Sequence, residues 1–211
     1  MTAIDFFKDT LKDNLIELRE VENLYPILIV KDGKPSNFDK LLKNNKQYKR
    51  FYKLYPIVLT PEFLQNATDS FPADLLYLKD FSNHIHGEDY FKNINLDNNF
   101  LRLNIEREFR SKLFLIMSSS YVTTDKNQIS FFLKNLLFSI RYAIYGFVKI
   151  KKLNISFQNE QDLFVSILNL LNFDKTPLLS NILSAKGKES SIERFNTIYD
   201  AFQTLISNIE V

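Results

Sequence analysis

The sequence has no cysteine and no tryptophan, and only four glycines, two methionines and two histidines among 211 residues. Without cysteine there is no disulfide framework, no zinc-thiolate site and no thiol chemistry, a composition that suits a reducing cytosol. Two histidines leave too few ligands for a histidine-based metal site. Aromatic burial falls to twenty phenylalanines and ten tyrosines. A signal peptide is also missing, because the start MTAIDFFKDTLKDNL carries Asp5, Asp9 and Asp13 where export needs a basic end and an apolar run. A cytoplasmic protein is expected.

What is present is ordinary for a folded chain: 45% hydrophobic and 25% charged residues, enough for two compact parts. One stretch, Ile129 to Ile150, has the length of a membrane span but is interrupted by Lys134, Asn135 and Arg141. Charges at that depth cost about 2.5–3.5 kcal/mol each, so a buried bundle helix is expected there and no membrane partner. Charge is unevenly spread. Lys31 to Lys53 holds eight basic residues against Asp32 and Asp39, giving +6 in a chain of +2, and the remainder carries −4.

Hydrophobic periodicity predicts a helix from Thr2 to Leu18 ending near Asn23, with Ile4, Phe7, Leu11, Leu15 and Leu18 on one face. The continuous run Tyr25 to Val30 reads as a buried strand before the turn Asp32-Gly33. Ser36 and Asp39 open a helix over 37–53, whose aromatics Tyr48, Phe51, Tyr52 and Tyr55 would point inward behind a lysine face. Tyr55 to Leu59 is a second strand, and Thr60-Pro61 caps a short helix. For 71–80 the alternation in ADLLYLKD favours a strand, turning at Phe81-Ser82-Asn83 into His84 to His86. After Asp89 only helices are expected: 101–119, 126–151, 160–171 capped by Asn159, a short one from Thr176-Pro177, and 189–209. In the last, Ile192, Phe195, Tyr199, Phe202, Leu205 and Ile209 form one stripe. The fold class is therefore α+β, an α/β unit over residues 1–90 followed by an antiparallel all-α bundle over 91–211.

Three groups of residues could carry chemistry. Arg102, Glu106 and Arg110 repeat every four residues beside the apolar stripe Leu101, Ile105, Phe109, Leu113 and Ile116, with Arg107 and Lys112 close by. They would either grip a phosphate, with Glu106 steering the arginines, or form a ladder of weak i,i+4 salt bridges, the commoner arrangement. His84 and His86 share one side of a strand with Glu88 and Asp89 beyond, but edge-strand histidines are the plainer reading. Lys43, Lys46 and Arg50 lie on the basic helix and would face a nucleic acid or, more simply, solvent.

The runs PILIVKDGKPSNFDKLLK, YPIVLTPEFLQNATDSFPADLLYLKD, HIHGEDYF and LRLNIEREFRSKLFLIMSSSYV together resemble a group of uncharacterised bacterial nucleotidyltransferase-like proteins. The similarity runs from Tyr25 nearly to the end. It implies a polymerase-β-type palm followed by a helical bundle. Active members of that superfamily use a Gly-Ser turn for the triphosphate and an Asp-x-Asp pair for Mg²⁺. This chain has neither. Asp74, on the expected third strand, is the one carboxylate left to match the last metal ligand, and one ligand does not hold two metals. Helical partners of minimal nucleotidyltransferases include HEPN ribonucleases, which need an arginine followed closely by histidine; Arg141 has no such histidine and is expected to be buried against carbonyls or a carboxylate.

The resemblance therefore implies a reduced, non-catalytic palm without cofactor or metal, binding a nucleotide, a phosphorylated ligand or a protein partner between its two halves through Asp74, Lys79, Arg102, Glu106 and Arg110. Separately from the resemblance, the aromatic and aliphatic stripe of the last helix fits either a homodimer seam or the bundle core. Two alternatives stand beside it: a nucleotidyltransferase with a rearranged Mg²⁺ site using Asp74 and Asp32 or Glu106, and a nucleic-acid-binding module using Lys43, Lys46 and Arg50.

Overall fold

A computed structural model describes residues 2–21 and 24–210, with the side chain of Glu210 left out. The chain forms two compact units, Met1–Asp97 and Asn98–Val211. The first is mixed α and β; in the second every element among the described residues is a helix.

The first unit opens with α1 (Ala3–Leu11), started by a capping box in which the Thr2 hydroxyl accepts from the Asp5 amide and the Asp5 carboxylate accepts from the Thr2 amide. The predicted helix over 2–18 is half right. Lys12 adopts φ 50°, which ends the helix, and Leu15–Val21 is instead strand β1. The spacing of Leu11, Leu15 and Leu18 fits a helix, but Leu18 is equally buried from a strand, where pairing along both edges outweighs the helical period. The expected helix end near Asn23 lies outside the described residues.

Strand β1 pairs antiparallel with β2 (Tyr25–Val30), which pairs parallel with β3 (Ile57–Leu59). Every residue of β2 is buried because helices cover both faces of the sheet. On one face Leu28 and Val30 meet Phe6, Phe7, Tyr48 and Tyr52; on the other Tyr25, Ile27 and Ile29 meet Leu64, Leu75, Leu78 and Phe91. The helix predicted over 37–53 is broken into a 3₁₀ turn at Pro35–Phe38, α2 (Asp39–Lys43) and α3 (Asn45–Tyr48). The break falls at Asn44, whose side-chain amide bonds the Lys40 carbonyl at 2.8 Å. Such local bonding competes with helix continuation.

As expected, Thr60 caps α4 (Pro61–Asn66) with its hydroxyl 3.1 Å from the Phe63 amide. The strand expected over 71–80 is helix α5 (Pro72–Phe81). Pro72 at the first helical position presets the turn, and Pro72, Leu75 and Leu78 are buried at helical spacing. Strand β4 (Asn83–Gly87) follows and pairs with β1, so the sheet order is β3-β2-β1-β4 with β4 at an edge.

The second unit contains α6 (Asn98–Ser120), α7 (Lys126–Ser139), α8 (Arg141–Ile150), α9 (Glu160–Leu170), α10 (Thr176–Leu183) and α11 (Ser191–Glu210). The stripe Leu101, Ile105, Phe109, Leu113 and Ile116 is buried as read. Phe109 packs on Phe147 and Phe202, ring centroids 6.2 and 6.1 Å apart. The single helix expected over 126–151 is bent by 60° between α7 and α8, and among the described residues no single helix is long and apolar enough to cross a membrane. Asn159 caps α9 through the amides of Gln161 and Asp162. On α11 the stripe holds except at Ile192, which is exposed.

Candidate anion-binding site

Two charged side chains on β1 show how the first unit fixes its connections. Glu17 and Arg19 stand two apart on a strand and so share a face, and both are buried, Glu17 at 0% exposure. The Arg19 guanidinium donates from Nη1 to Glu17 Oε1 at 3.0 Å and to Asp89 Oδ1 at 2.8 Å, from Nε to Ser82 Oγ at 2.7 Å, and from Nη2 to the Ser82 carbonyl at 3.0 Å. The second oxygen of Glu17 accepts from the Tyr90 amide at 2.9 Å, and the guanidinium lies 4.9 Å from the centre of the Phe91 ring. Ser82 precedes β4 and Asp89 follows it, so one arginine holds both ends of that strand. Burial raises the Glu17 carboxyl above its ordinary range, opposed by the Tyr90 amide and Arg19. Every acceptor is internal, which makes this a structural clasp.

Arg194 does comparable work in the second unit. It is buried at the start of α11 and donates to the Lys186 carbonyl at 2.7 Å, the Glu189 carbonyl at 3.2 Å and Glu189 Oε2 at 3.0 Å, closing the link from α10. Periodicity does not reveal either arginine. The usable signal for the first was two opposite charges at alternate positions inside the apolar segment LIELREV.

The residues expected to bind a ligand are mostly engaged elsewhere. Asp74 is half-buried in the first turn of α5, on a helix and not on a strand, and has a partner within the protein. Lys79 Nζ donates to the Ile94 carbonyl at 2.9 Å. On α6, Arg110 Nε meets Glu106 Oε1 at 2.7 Å in the i,i+4 ladder, Arg107 approaches Glu108 at 4.0 Å, and Arg102 is exposed with a partner of its own. Asp74 and Lys79 belong to the first unit; Arg102, Glu106 and Arg110 belong to the second. Edge-strand His84 bonds the Gly87 carbonyl at 3.0 Å, and among the described residues no three metal-ligating side chains come together. Arg141 is half-buried rather than buried; it donates to the Phe138 carbonyl at 2.9 Å and the Tyr142 hydroxyl at 2.6 Å.

Lys43, Lys46 and Arg50 are brought together. With Asn44, Asn45 and Gln47 they line one open recess of about 580 Å³ around the break between α2 and α3. All three cations are exposed, and no carboxylate contributes to the lining. Nearby Lys40 is spent, its ammonium 3.0 Å from Asp9. Other recesses differ in charge: one sets Lys134 beside Asp162, one is lined by Glu88 with Tyr90 and Thr68, and one at the ends of β2 and β3 sets Lys31 beside Asp32 and Glu62. Three cations with amide side chains between them offer the donors that a multiply charged anion would need, since lysine and arginine both donate to phosphate oxygens and the amides supply further donors.

Behind the recess the segment is rigidly backed. Tyr48 is buried, which raises its phenol and keeps it protonated, and it donates to the Leu54 carbonyl at 2.5 Å. Tyr52 is also buried and Phe51 half-buried, but Tyr55, grouped with them in the sequence reading, is 86% exposed. No protein-family model, curated protein or solved structure matches the chain.

Proposed function

We propose that this protein is a non-catalytic binding module that takes phosphate-bearing polyanions at the recess of Lys43, Lys46 and Arg50. One observation carries the reading: these cations converge on a recess without a carboxylate. The excess charge of Lys31 to Lys53 supports it, because a local positive field concentrates anions from solution. The finer architecture, a reduced nucleotidyltransferase-like α/β unit followed by an antiparallel bundle, belongs to the same proposal and rests on the sequence resemblance. The missing Gly-Ser turn and Asp-x-Asp pair support binding without transfer.

The test is titration of the full chain with inorganic polyphosphate, followed by calorimetry, for the wild type and for Lys43→Glu/Lys46→Glu/Arg50→Glu. Saturable binding that disappears in the triple variant is expected. Binding that survives the charge reversal, or its absence in the wild type, overturns the proposal. The substituted side chains are exposed, so far-ultraviolet circular dichroism should be unchanged.

A further inference from the structure

The geometry points to a narrower ligand, and this step rests on the recess reading above: we propose that the recess binds single-stranded nucleic acid, with Tyr55 as the platform on which a base stacks. Tyr55 exposes 86% of its surface, an unusual state for an aromatic side chain in a segment whose neighbours Tyr48 and Tyr52 are buried. Its position relative to the cations is fixed by bonds. Tyr48 lies in α3, two residues after Lys46 and two before Arg50, and its hydroxyl reaches the Leu54 carbonyl at 2.5 Å. The peptide that introduces Tyr55 is therefore one tyrosine side chain away from the helix that carries the recess.

The backbone in front of the ring is held on its other side as well. The amides of Lys53 and Leu54 both donate to the Leu24 carbonyl, at 3.1 and 3.0 Å. Pro56 follows, and a residue before proline is confined to extended conformations. The backbone that carries the ring is thus set before binding, so only the side chains remain to be ordered.

An exposed aromatic five residues after Arg50, on backbone tied to the helix of the cationic recess, matches the chemistry of single strands. Their phosphates meet Lys43, Lys46 and Arg50 while an unstacked base offers its π-face, whatever its identity. In a duplex the bases are already stacked, so an aromatic side chain finds a free face only at the ends. Inorganic polyphosphate has no base at all, which separates the two halves of the site experimentally.

The chain contains no tryptophan, so Tyr55→Trp supplies a single tryptophan at the platform, excited selectively beyond the tyrosine band. Oligo-dT is expected to quench its emission saturably, and polyphosphate is not. By anisotropy with labelled oligo-dT, Tyr55→Ala should lose roughly tenfold in affinity and Tyr55→Phe should retain it, while the affinity for polyphosphate stays the same in all three. A blunt duplex of equal length should bind more weakly than the single strand and ignore the alanine substitution. If Tyr55→Ala binds oligo-dT as the wild type does, or if duplex and single strand bind equally, the stacking platform is wrong even where the polyphosphate titration upholds the recess. If polyphosphate fails to bind, the recess reading falls first and takes this one with it.

Discussion

Arg19 and Glu17 form an ion pair at 3.0 Å from alternate positions of one strand, both buried, with Asp89 as a second carboxylate on the same guanidinium at 2.8 Å. The pair sits on the sheet face covered by α5, where an unpartnered charge would have no water to turn to. Such arrangements contribute modestly when whole and are costly when one partner is removed. Arg19→Met should therefore destabilise the protein by about 3–5 kcal/mol. Glu17→Gln, which keeps an acceptor for Arg19 or for the Tyr90 amide but turns its NH2 toward the other donor, should cost less than Arg19→Met. Urea unfolding of the full-length variants, followed by tyrosine fluorescence, checks the ranking.

The same carboxyl makes stability depend on pH in a defined sense. Desolvation raises the folded-state pKa of Glu17 above its ordinary value, so the folded chain binds this proton more tightly than the unfolded one. Its contribution is complete below the ordinary glutamate range and drains away as pH rises through the folded value. Asp5 and Asp32 are shifted downward by hydrogen bonds and act in the opposite direction, but they are shared by any variant. The difference in unfolding free energy between wild type and Glu17→Gln should hence fall as pH is raised from about 4. A difference that is flat or rises with pH would contradict the assignment.

Gly87 ends β4 opposite Glu17 with φ 93°, and a Cβ built there would lie 1.9 Å from the Ile16 carbonyl oxygen. Both faults act together in Gly87→Ala. The dihedral alone costs about 1–3 kcal/mol, and the collision with backbone has no flexible side chain to absorb it. The expected result is a lower thermal midpoint than that of any substitution at exposed His84, measured by circular dichroism.

How much of this was legible in the sequence depended on which interaction decided each segment. Where burial or a cap decided, reading was direct: Tyr25 to Val30 as a buried strand, the Thr60 and Asn159 caps, and the stripe from Leu101 to Ile116. Where long-range pairing decided, local periodicity misled. Leu15 and Leu18 keep helical spacing, yet belong to a strand held on both edges, and ADLLYLKD alternates although Pro72 starts a helix. Charges were harder. In a helix Glu17 and Arg19 would face solvent, and only strand pairing brings Ser82 and Asp89 within reach. The recess cations were visible as a dense basic run, but the break that gathers them turns on one local bond of Asn44, and the exposure of Tyr55 follows from tertiary packing.

The hydrogen bond between Tyr48 and the Leu54 carbonyl allows stability and ligand presentation to be separated. Tyr48→Phe keeps the ring that packs against Phe7 and Tyr52 and removes the donor alone, at a cost of about 0.5–1.5 kcal/mol. With the tether gone, the backbone before Tyr55 keeps only the bonds of the Lys53 and Leu54 amides to the Leu24 carbonyl, so oligo-dT affinity should fall while polyphosphate affinity holds.

Salt reports the number of phosphates the recess engages. Three neutralised phosphates on a single strand correspond to a slope of about −2 in log affinity against log salt. Removing one cation with Lys46→Gln should reduce that slope by roughly 0.7, whereas Tyr55→Ala should lower affinity without changing it, because stacking releases no counterions. A slope that is unaffected by Lys46→Gln, or one that shifts with Tyr55→Ala, would place the phosphates away from this recess.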